Sequence, residues 1–317
     1  MLKTKILTCA LSSIMLFSAM PATTIFADEL TTSDNSIINI ENEDKDIIDF
    51  GTCGENVGWY VDNSSTLCIS GSGPMYNYKN SEAVPWSKYK DQINVIILYP
   101  LITSIGDYAF REIDGYLSFK NIEATKLSRI GNYALNPNLL LSADATDTVL
   151  KLPNTVTSIG NYAFANSKYT AVILPTGLKT IGAHAFDRSI NITSITIPNT
   201  VTSIGSYAFA NMAKLKSVVG GSSLKTIGSY AFANCKQLVT LKITSSKLKT
   251  IGAYSFKSDS RLKTLYIQKT TKLTKSSVKK SLKSSSIKTV KVKKSKVKKY
   301  KKYFTKKNCG RKVKVKK

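Results

Sequence analysis

The residues of this chain of 317 that could do acid–base, nucleophilic or metal chemistry form no constellation, and its N-terminal acids cluster in a linker-like segment where nothing would position them. His184 is the one histidine, so any Ser/His/Asp or Cys/His constellation would have to be built around it. Beyond residue 149 the only acids are Asp187 and Asp259, too far apart for paired-carboxylate chemistry. Cys53, Cys68, Cys235 and Cys309 form no Cys-x-x-Cys and no Cys/His cluster, so no metal site is expected. A disulfide between Cys53 and Cys68 fits an oxidising compartment. A hairpin turning at Asp62–Ser65, however, would set residue 68 near residue 59 or 60 and not near 53. Gly71 and Gly73 follow a strand-like run but precede no helical pattern, and Gly-x-x-x-x-Gly-Lys is absent. The expectation is no catalytic residue, no cofactor and no small-molecule substrate.

The abundant chemistry is positive charge. The formal net charge is +26, and it is unevenly spread. Residues 28–149 hold 8 Lys/Arg against 18 Asp/Glu, residues 150–272 hold 16 against 2, and residues 273–317 hold 20 against none. Lys293, Lys294, Lys298, Lys299, Lys301, Lys302, Lys306 and Lys307 are the candidate polyanion-binding residues. A basic protein outside the cell meets wall polymers and anionic glycans before nucleic acid. The basic end carries no recognisable nucleic-acid-reading motif.

Something must position whatever surface does the binding, and the chain supplies it as an internal repeat. Ile-Gly recurs at Ile105, Ile130, Ile159, Ile181, Ile204, Ile227 and Ile251, at spacings of 25, 29, 22, 23, 23 and 24 residues. Each pair is followed by a variable residue, an aromatic, Ala or Ser, then Phe or Leu, as in Tyr207-Ala208-Phe209. His184 occupies the aromatic column, which marks it as a column variant. Each copy also holds a Leu-x-x-Leu-x-Leu-like run, such as Leu238, Leu241 and Ile243, whose alternation reads as a short strand. Pro100, Pro153, Pro175 and Pro198 close these strands, since proline lacks the N–H a ladder needs. A second extended piece such as Val201–Ile204 follows. Gly205 is then read as permitting a corner, and Tyr207–Phe209 as one helical turn with Phe inward. One coil cannot bury its apolar face alone, whereas stacked coils share a continuous core.

These residues resemble the BspA-type leucine-rich repeats of bacterial and protist surface proteins. The segment Ile197–Phe209 carries the pattern almost intact, and the resemblance spans about residues 51–317. It implies a right-handed solenoid with a parallel β-sheet, short second strands and single helical turns. It also implies roles in adhesion or other protein binding, and supplies no catalytic residues. The copies at 111–149 are irregular and are expected to carry loops.

The flanks divide the rest. Residues 1–27 have the charged, apolar and small-residue order of a signal peptide, with cleavage expected after Ala27 and no membrane span following. Residues 28–50 are acidic and read as a disordered linker. Residues 51–100 resemble the lead-in of such repeats, and their hairpin would cover the open first coil as an N-terminal cap. Residues 101–272 hold about seven repeats. Residues 273–317 read either as a solvated tail or as a basic strand–helix–strand cap. The spacing of Ile287, Val290 and Val292, and of Val297, Tyr300, Tyr303 and Phe304, favours the cap, with Ser295 and Gly310 at the helix ends.

If the repeated apolar positions face inward, an outward row remains on the strands: Ala171, Ile173, Ser194, Thr196, Ser217, Val219, Thr240, Lys242, Thr264 and Tyr266. This is the candidate protein-binding face. The expected protein is a secreted or cell-surface monomer that binds an extracellular protein, with adhesion as one role. The alternative is a structural wall-associated protein held to anionic polymers by its basic end.

Overall fold

The computed structural model describes residues 47–119, 125–141, 148–267 and 272–317. The signal-peptide segment and most of the acidic segment lie outside them. The first strand, β1 (Ile47–Gly54), begins within the segment read as linker and pairs antiparallel with β2 (Val57–Asp62). The hairpin to β3 (Thr66–Gly71) turns where the sequence places it. Asp62 holds that turn: its Oδ1 accepts the backbone N–H groups of Ser64 at 2.9 Å and Thr66 at 3.0 Å. Cys68 stands opposite Tyr60, while Cys53 lies on β1 beside Gly54, which is paired with Val57. With β2 between their strands, the two cysteines are too far apart for a disulfide, which needs Cα atoms within about 7 Å.

From β3 onward every pairing is parallel, and the chain winds as a solenoid with two stacks of strands. One stack is an eight-stranded sheet of short pieces running from Gly73–Pro74 to Thr250–Ile251. It contains the Ile of each Ile-Gly pair. The other holds the longer strands. It runs as a five-stranded sheet ending at Tyr116–Phe119, a pair made by Val149–Lys151 and Ala171–Ile173, and a six-stranded sheet from Ser194–Ile197 to Lys314–Lys316. β3 and Gly73–Pro74 already belong to the two stacks, so coiling starts before residue 101. Near residue 140 the long-strand ladder is interrupted. There the Tyr169 hydroxyl donates to the Leu139 carbonyl (3.0 Å) and accepts the Leu141 N–H (2.9 Å), satisfying groups the ladder leaves open.

Between the stacks, the repeat residues fill one continuous core. Phe164, Phe186, Phe209, Phe232 and Phe256 stack at 5.3 to 6.1 Å between successive ring centres. Trp86 begins this column: it is fully buried, stacks on Phe110 at 5.8 Å, and donates its indole N–H to the Ala109 carbonyl.

The Tyr-Ala-Phe segment is a single closed turn, with Ala210 N–H donating to the Tyr207 carbonyl at 3.0 Å, but its aromatic residue does not have helical backbone. Tyr108, Tyr133, Tyr162, His184, Tyr207, Tyr230 and Tyr254 all sit in the left-handed region, at φ of 51 to 61°. The cause is where the backbone donors go. Tyr207 N–H donates to Ser229 carbonyl (3.0 Å) and Phe209 N–H to Ala231 carbonyl (2.8 Å), both on the next coil. A helix would turn those donors back along the axis. The glycine likewise has another job than a corner. Gly205 has no left-handed φ, and a Cβ there would lie 2.5 Å from backbone atoms of Gly182 and Ala183. Glycine is required because adjacent coils touch.

Residues 276–285 form a further copy that the side chains disguise. Tyr254 N–H donates to Lys280 carbonyl, and Lys280 has the left-handed φ of the aromatic column. Ser281 and Leu282 are buried in the Ala and Phe places. The basic end then folds as a strand (Thr289–Val292), helices α1 (Val297–Lys301) and α2 (Lys306–Cys309), and the strand Lys314–Lys316. The single helix read from the sequence is two. Lys296, not Ser295, is the N-cap of α1, and the Thr305 side chain caps α2 by accepting from Asn308 N–H. Gly310 ends α2 at φ 74°, as the sequence suggests.

Candidate functional site

The strand face forms from simple alternation. In Ser194–Ile197 the pattern is exposed, buried, exposed, buried, so Ile195 and Ile197 enter the core and Ser194 and Thr196 point out. Parallel pairing sets like positions side by side. Ser194, Ser217 and Thr240 form one outward row, and Thr196, Val219, Lys242 and Tyr266 form the other. Ala171 and Ile173 lie beside this ladder and not in it, because their strand is hydrogen-bonded to Val149–Lys151 and only adjoins Ser194–Ile197. Ile173 is 55% exposed, a large apolar side chain on open surface.

The face does not stop at Tyr266. Thr264 pairs with Thr289 and that with Lys314, while Tyr266 pairs with Lys291 and that with Lys316. The neutral rows therefore turn basic toward the C-terminal end. Sequence reading missed this continuation. Its signal was the Thr-Val-Lys-Val and Lys-Val-Lys alternation, but only the register joins those strands to the repeats. The lysines singled out from the sequence (Lys293, Lys294, Lys298, Lys299, Lys301, Lys302, Lys306 and Lys307) are all exposed, on α1, α2 and the residues beside them. Among the described residues, the ion pairs are Lys88–Asp49 and Arg129–Asp107, His184 lies beside Asp187, and none of these contacts involves residues 273–317.

The aromatic column makes a second surface feature. Its rings stack from Tyr108 to Tyr254 at 4.3 to 5.1 Å with planes within 15° of parallel. His184 fits between Tyr162 (4.3 Å) and Tyr207 (4.6 Å), and its Nδ1 lies 2.8 Å from Asp187 Oδ2. Asp187 Oδ1 accepts from Asn211 Nδ2, so this carboxylate ties neighbouring coils together. Partial burial raises the Tyr133 and Tyr207 phenol pKa values, and the adjacent ring adds to each. The rings are half-buried and pack on one another, a structural role for the column.

The position before the aromatic, variable in sequence, builds another ladder at the N-terminal end. Asp107 N–H donates to Asn77 Oδ1, Asn132 N–H to Asp107 Oδ1, Asn161 N–H to Asn132 Oδ1 and Ala183 N–H to Asn161 Oδ1. Arg129 braces it through Asp107 at 2.6 Å.

The family model described as "BspA type Leucine rich repeat region" matches six copies, over residues 88–186, 143–212 and 179–309. Among solved structures, a leucine-rich repeat protein from Eubacterium ventriosum is 18% identical, with a TM-score of 0.35, over 76% of this chain and 84% of that one. The T. pallidum leucine-rich repeat protein is 19% identical, with a TM-score of 0.38, over 67% and 90%. A leucine-rich cell surface protein from Faecalibacterium prausnitzii is 15% identical, with a TM-score of 0.31, over 84% and 94%. No curated protein matches the chain. Six copies of one repeat over most of the chain place it in a family: the chain belongs to the BspA-type leucine-rich repeats.

Proposed function

We propose that this chain is exported and acts at the cell surface or outside the cell as a protein-binding scaffold, with adhesion to host or matrix proteins as its role. The observation that carries the reading is the outward strand face. It is built on a rigid parallel ladder, offers two side chains per strand, and is lined by small neutral residues such as Ser194, Thr196, Ser217 and Thr240. A face of that kind suits an extended contact with another protein better than a small ligand, which needs a concave pocket. Export rests on the signal-peptide order of residues 1–27. The test is binding of the purified chain to immobilised host and matrix proteins at physiological salt. Saturable binding that falls when Thr196 and Val219 are replaced by Arg supports the reading, and its absence across the panel counts against it.

A second reading is favoured by a separate observation. Residues 273–317 carry 20 Lys/Arg and no acid, and no ion pair among the described residues neutralises them. An anionic wall polymer would supply the missing countercharge and hold the protein at the surface. Fractionating cells into medium, wall and membrane tests it, and a protein found in the medium alone removes its support.

A further inference from the structure

The wall-polymer reading treats the basic end as one undivided charge, but the geometry divides it in two. The helical lysines surround α1 and α2, while a second group lies on the end of the long-strand sheet. Lys288, Thr289, Arg311, Lys312, Lys314 and Lys316 line a shallow groove of about 510 Å³. Lys291 stands beside it, directly opposite Lys316 across the parallel ladder.

Like charges opposite one another on neighbouring strands oppose pairing. Protection of an open sheet edge accounts for Lys314 and Lys316, which lie on the last strand. It does not account for Lys291 and Lys288, which belong to or adjoin the strand inside that edge. A cost kept in the interior of the ladder points to a ligand that removes it. The spacing describes that ligand. Neighbouring strands lie ~4.8 Å apart, and alternate residues along a strand ~6.6 Å apart. Cations so arrayed match a linear polymer with one negative charge every 5–7 Å or so. Apart from Arg311, the cations here are lysines, compact point charges without the planar fork that reads a carboxylate in two places. The residues lining the groove include no aromatic, and Tyr266, the ladder partner of Lys291, is a single ring beside the site where single-stranded nucleic acid would need a succession of stacking platforms.

We propose that the groove at the C-terminal end of the strand sheet, bordered by Lys291, is a specific binding site for a linear, base-free phosphodiester polymer. The proposal rests on the wall-polymer reading and gives it a location. Lys291, Lys314 and Lys316 hold successive phosphates, and the Thr289 hydroxyl donates to one of them. The helical lysines add only long-range attraction.

The test uses the full chain and poly(glycerol phosphate) as the probe, with heparin and duplex DNA as competitors. One variant carries Lys291→Gln, Lys314→Gln and Lys316→Gln; a second carries Lys298→Gln, Lys299→Gln and Lys301→Gln, the same loss of charge on α1. A third carries Lys→Arg at the three sheet positions. The sheet Gln variant is expected to bind at least tenfold more weakly, with the slope of log K against log salt reduced by about 2 to 3. The α1 variant is expected to lose less than threefold, and the Arg variant to stay within threefold. Melting curves establish that each variant is folded. Equal losses in the two Gln variants overturn the site while leaving polymer binding intact. Absence of binding by the unaltered chain overturns both. DNA competing better than the polymer at equal phosphate overturns the base-free assignment.

Discussion

Oδ1 of Asp259 accepts the backbone N–H of Cys235 at 2.8 Å, across one coil of the solenoid, while its Oδ2 is buried with no hydrogen-bond partner. Desolvation is the main influence on this carboxyl and raises its pKa from 3.8 to about 8, against the lowering effect of the Cys235 N–H. A carboxyl raised on folding favours the native state only while it is protonated. Its contribution is complete below about pH 4, declines as pH rises toward 8, and is then level. Asp259→Asn keeps the acceptor and removes the ionisation. The variant is expected to exceed the parent in stability at pH 7, by up to roughly 4 kcal/mol. Urea melts of both proteins from pH 4 to 9 check this. A stability difference that does not grow with pH shows that Asp259 is not titrating in the fold.

The left-handed aromatic column gives an unusual order of substitutions. Tyr207 holds φ at 57° and stacks on His184 at 4.6 Å and Tyr230 at 4.7 Å. Tyr207→Ala removes both stacks and leaves a side chain in a disfavoured conformation, a loss of about 2 to 4 kcal/mol. Tyr207→Gly loses the same stacks but tolerates the backbone, and is expected to be about 1 kcal/mol more stable than the Ala variant. In a helical turn the order would be reversed, since Gly is the poorer helix former. Equilibrium unfolding of the two variants decides between the conformations.

Close approach of the coils makes the glycine column intolerant of even one carbon. At Gly205 the obstacle to a Cβ is the backbone of the preceding coil, at 2.5 Å, and backbone cannot rotate aside. Gly205→Ala is expected to cost about 3 kcal/mol or more, the upper range for overpacking. Gly177, whose Cβ would meet only the Asn154 carbonyl at 3.1 Å, serves as the control and is expected to lose far less. Thermal melts of both variants measure the contrast.

The repeat itself was legible because its columns recur in identity: seven Ile-Gly pairs give the coil length, and the buried Phe column follows from it. What escaped the sequence depends on hydrogen bonds between coils. Tyr has no intrinsic preference for left-handed backbone, so nothing in Tyr207 announces its φ; the carbonyl of Ser229 imposes it. The copy at Lys280–Leu282 escaped for the opposite reason, keeping the backbone and changing the side chains. β1 was hidden by the acidic composition around it. Alternation alone decides which side chain faces out, so Ser194 and Thr196 could be placed outward, but that Ala171 and Ile173 lie outside the six-stranded ladder is decided by pairing and was not legible. The basic extension of the row was not legible either, because Lys291 joins Tyr266 only through strand register.

The folded basic end changes how surface retention should be tested. Deleting residues 273–317 removes more than charge. The strand Thr289–Val292 pairs with Thr264–Ile267, and Val290, Val292, Tyr300 and Phe304 complete the core beyond it. Without them, Leu262, Leu265 and Ile267 face solvent on an open edge, each at about 1.5 to 3 kcal/mol, and an uncovered edge invites strand pairing between molecules. The truncated chain is therefore expected to melt at lower temperature and to self-associate, which sedimentation would show. Its behaviour in cells would then report misfolding as much as lost attachment. Replacing Lys298, Lys301 and Lys302 by Gln within the full chain leaves every buried contact in place, and also the Lys299 ammonium 5.8 Å from the centre of the Tyr303 ring. That protein is expected to keep the parent's melting temperature or exceed it, because like charges have been removed. If it melts well below the parent, the helical lysines contribute packing that their exposure does not suggest, and charge and fold cannot be separated at that end.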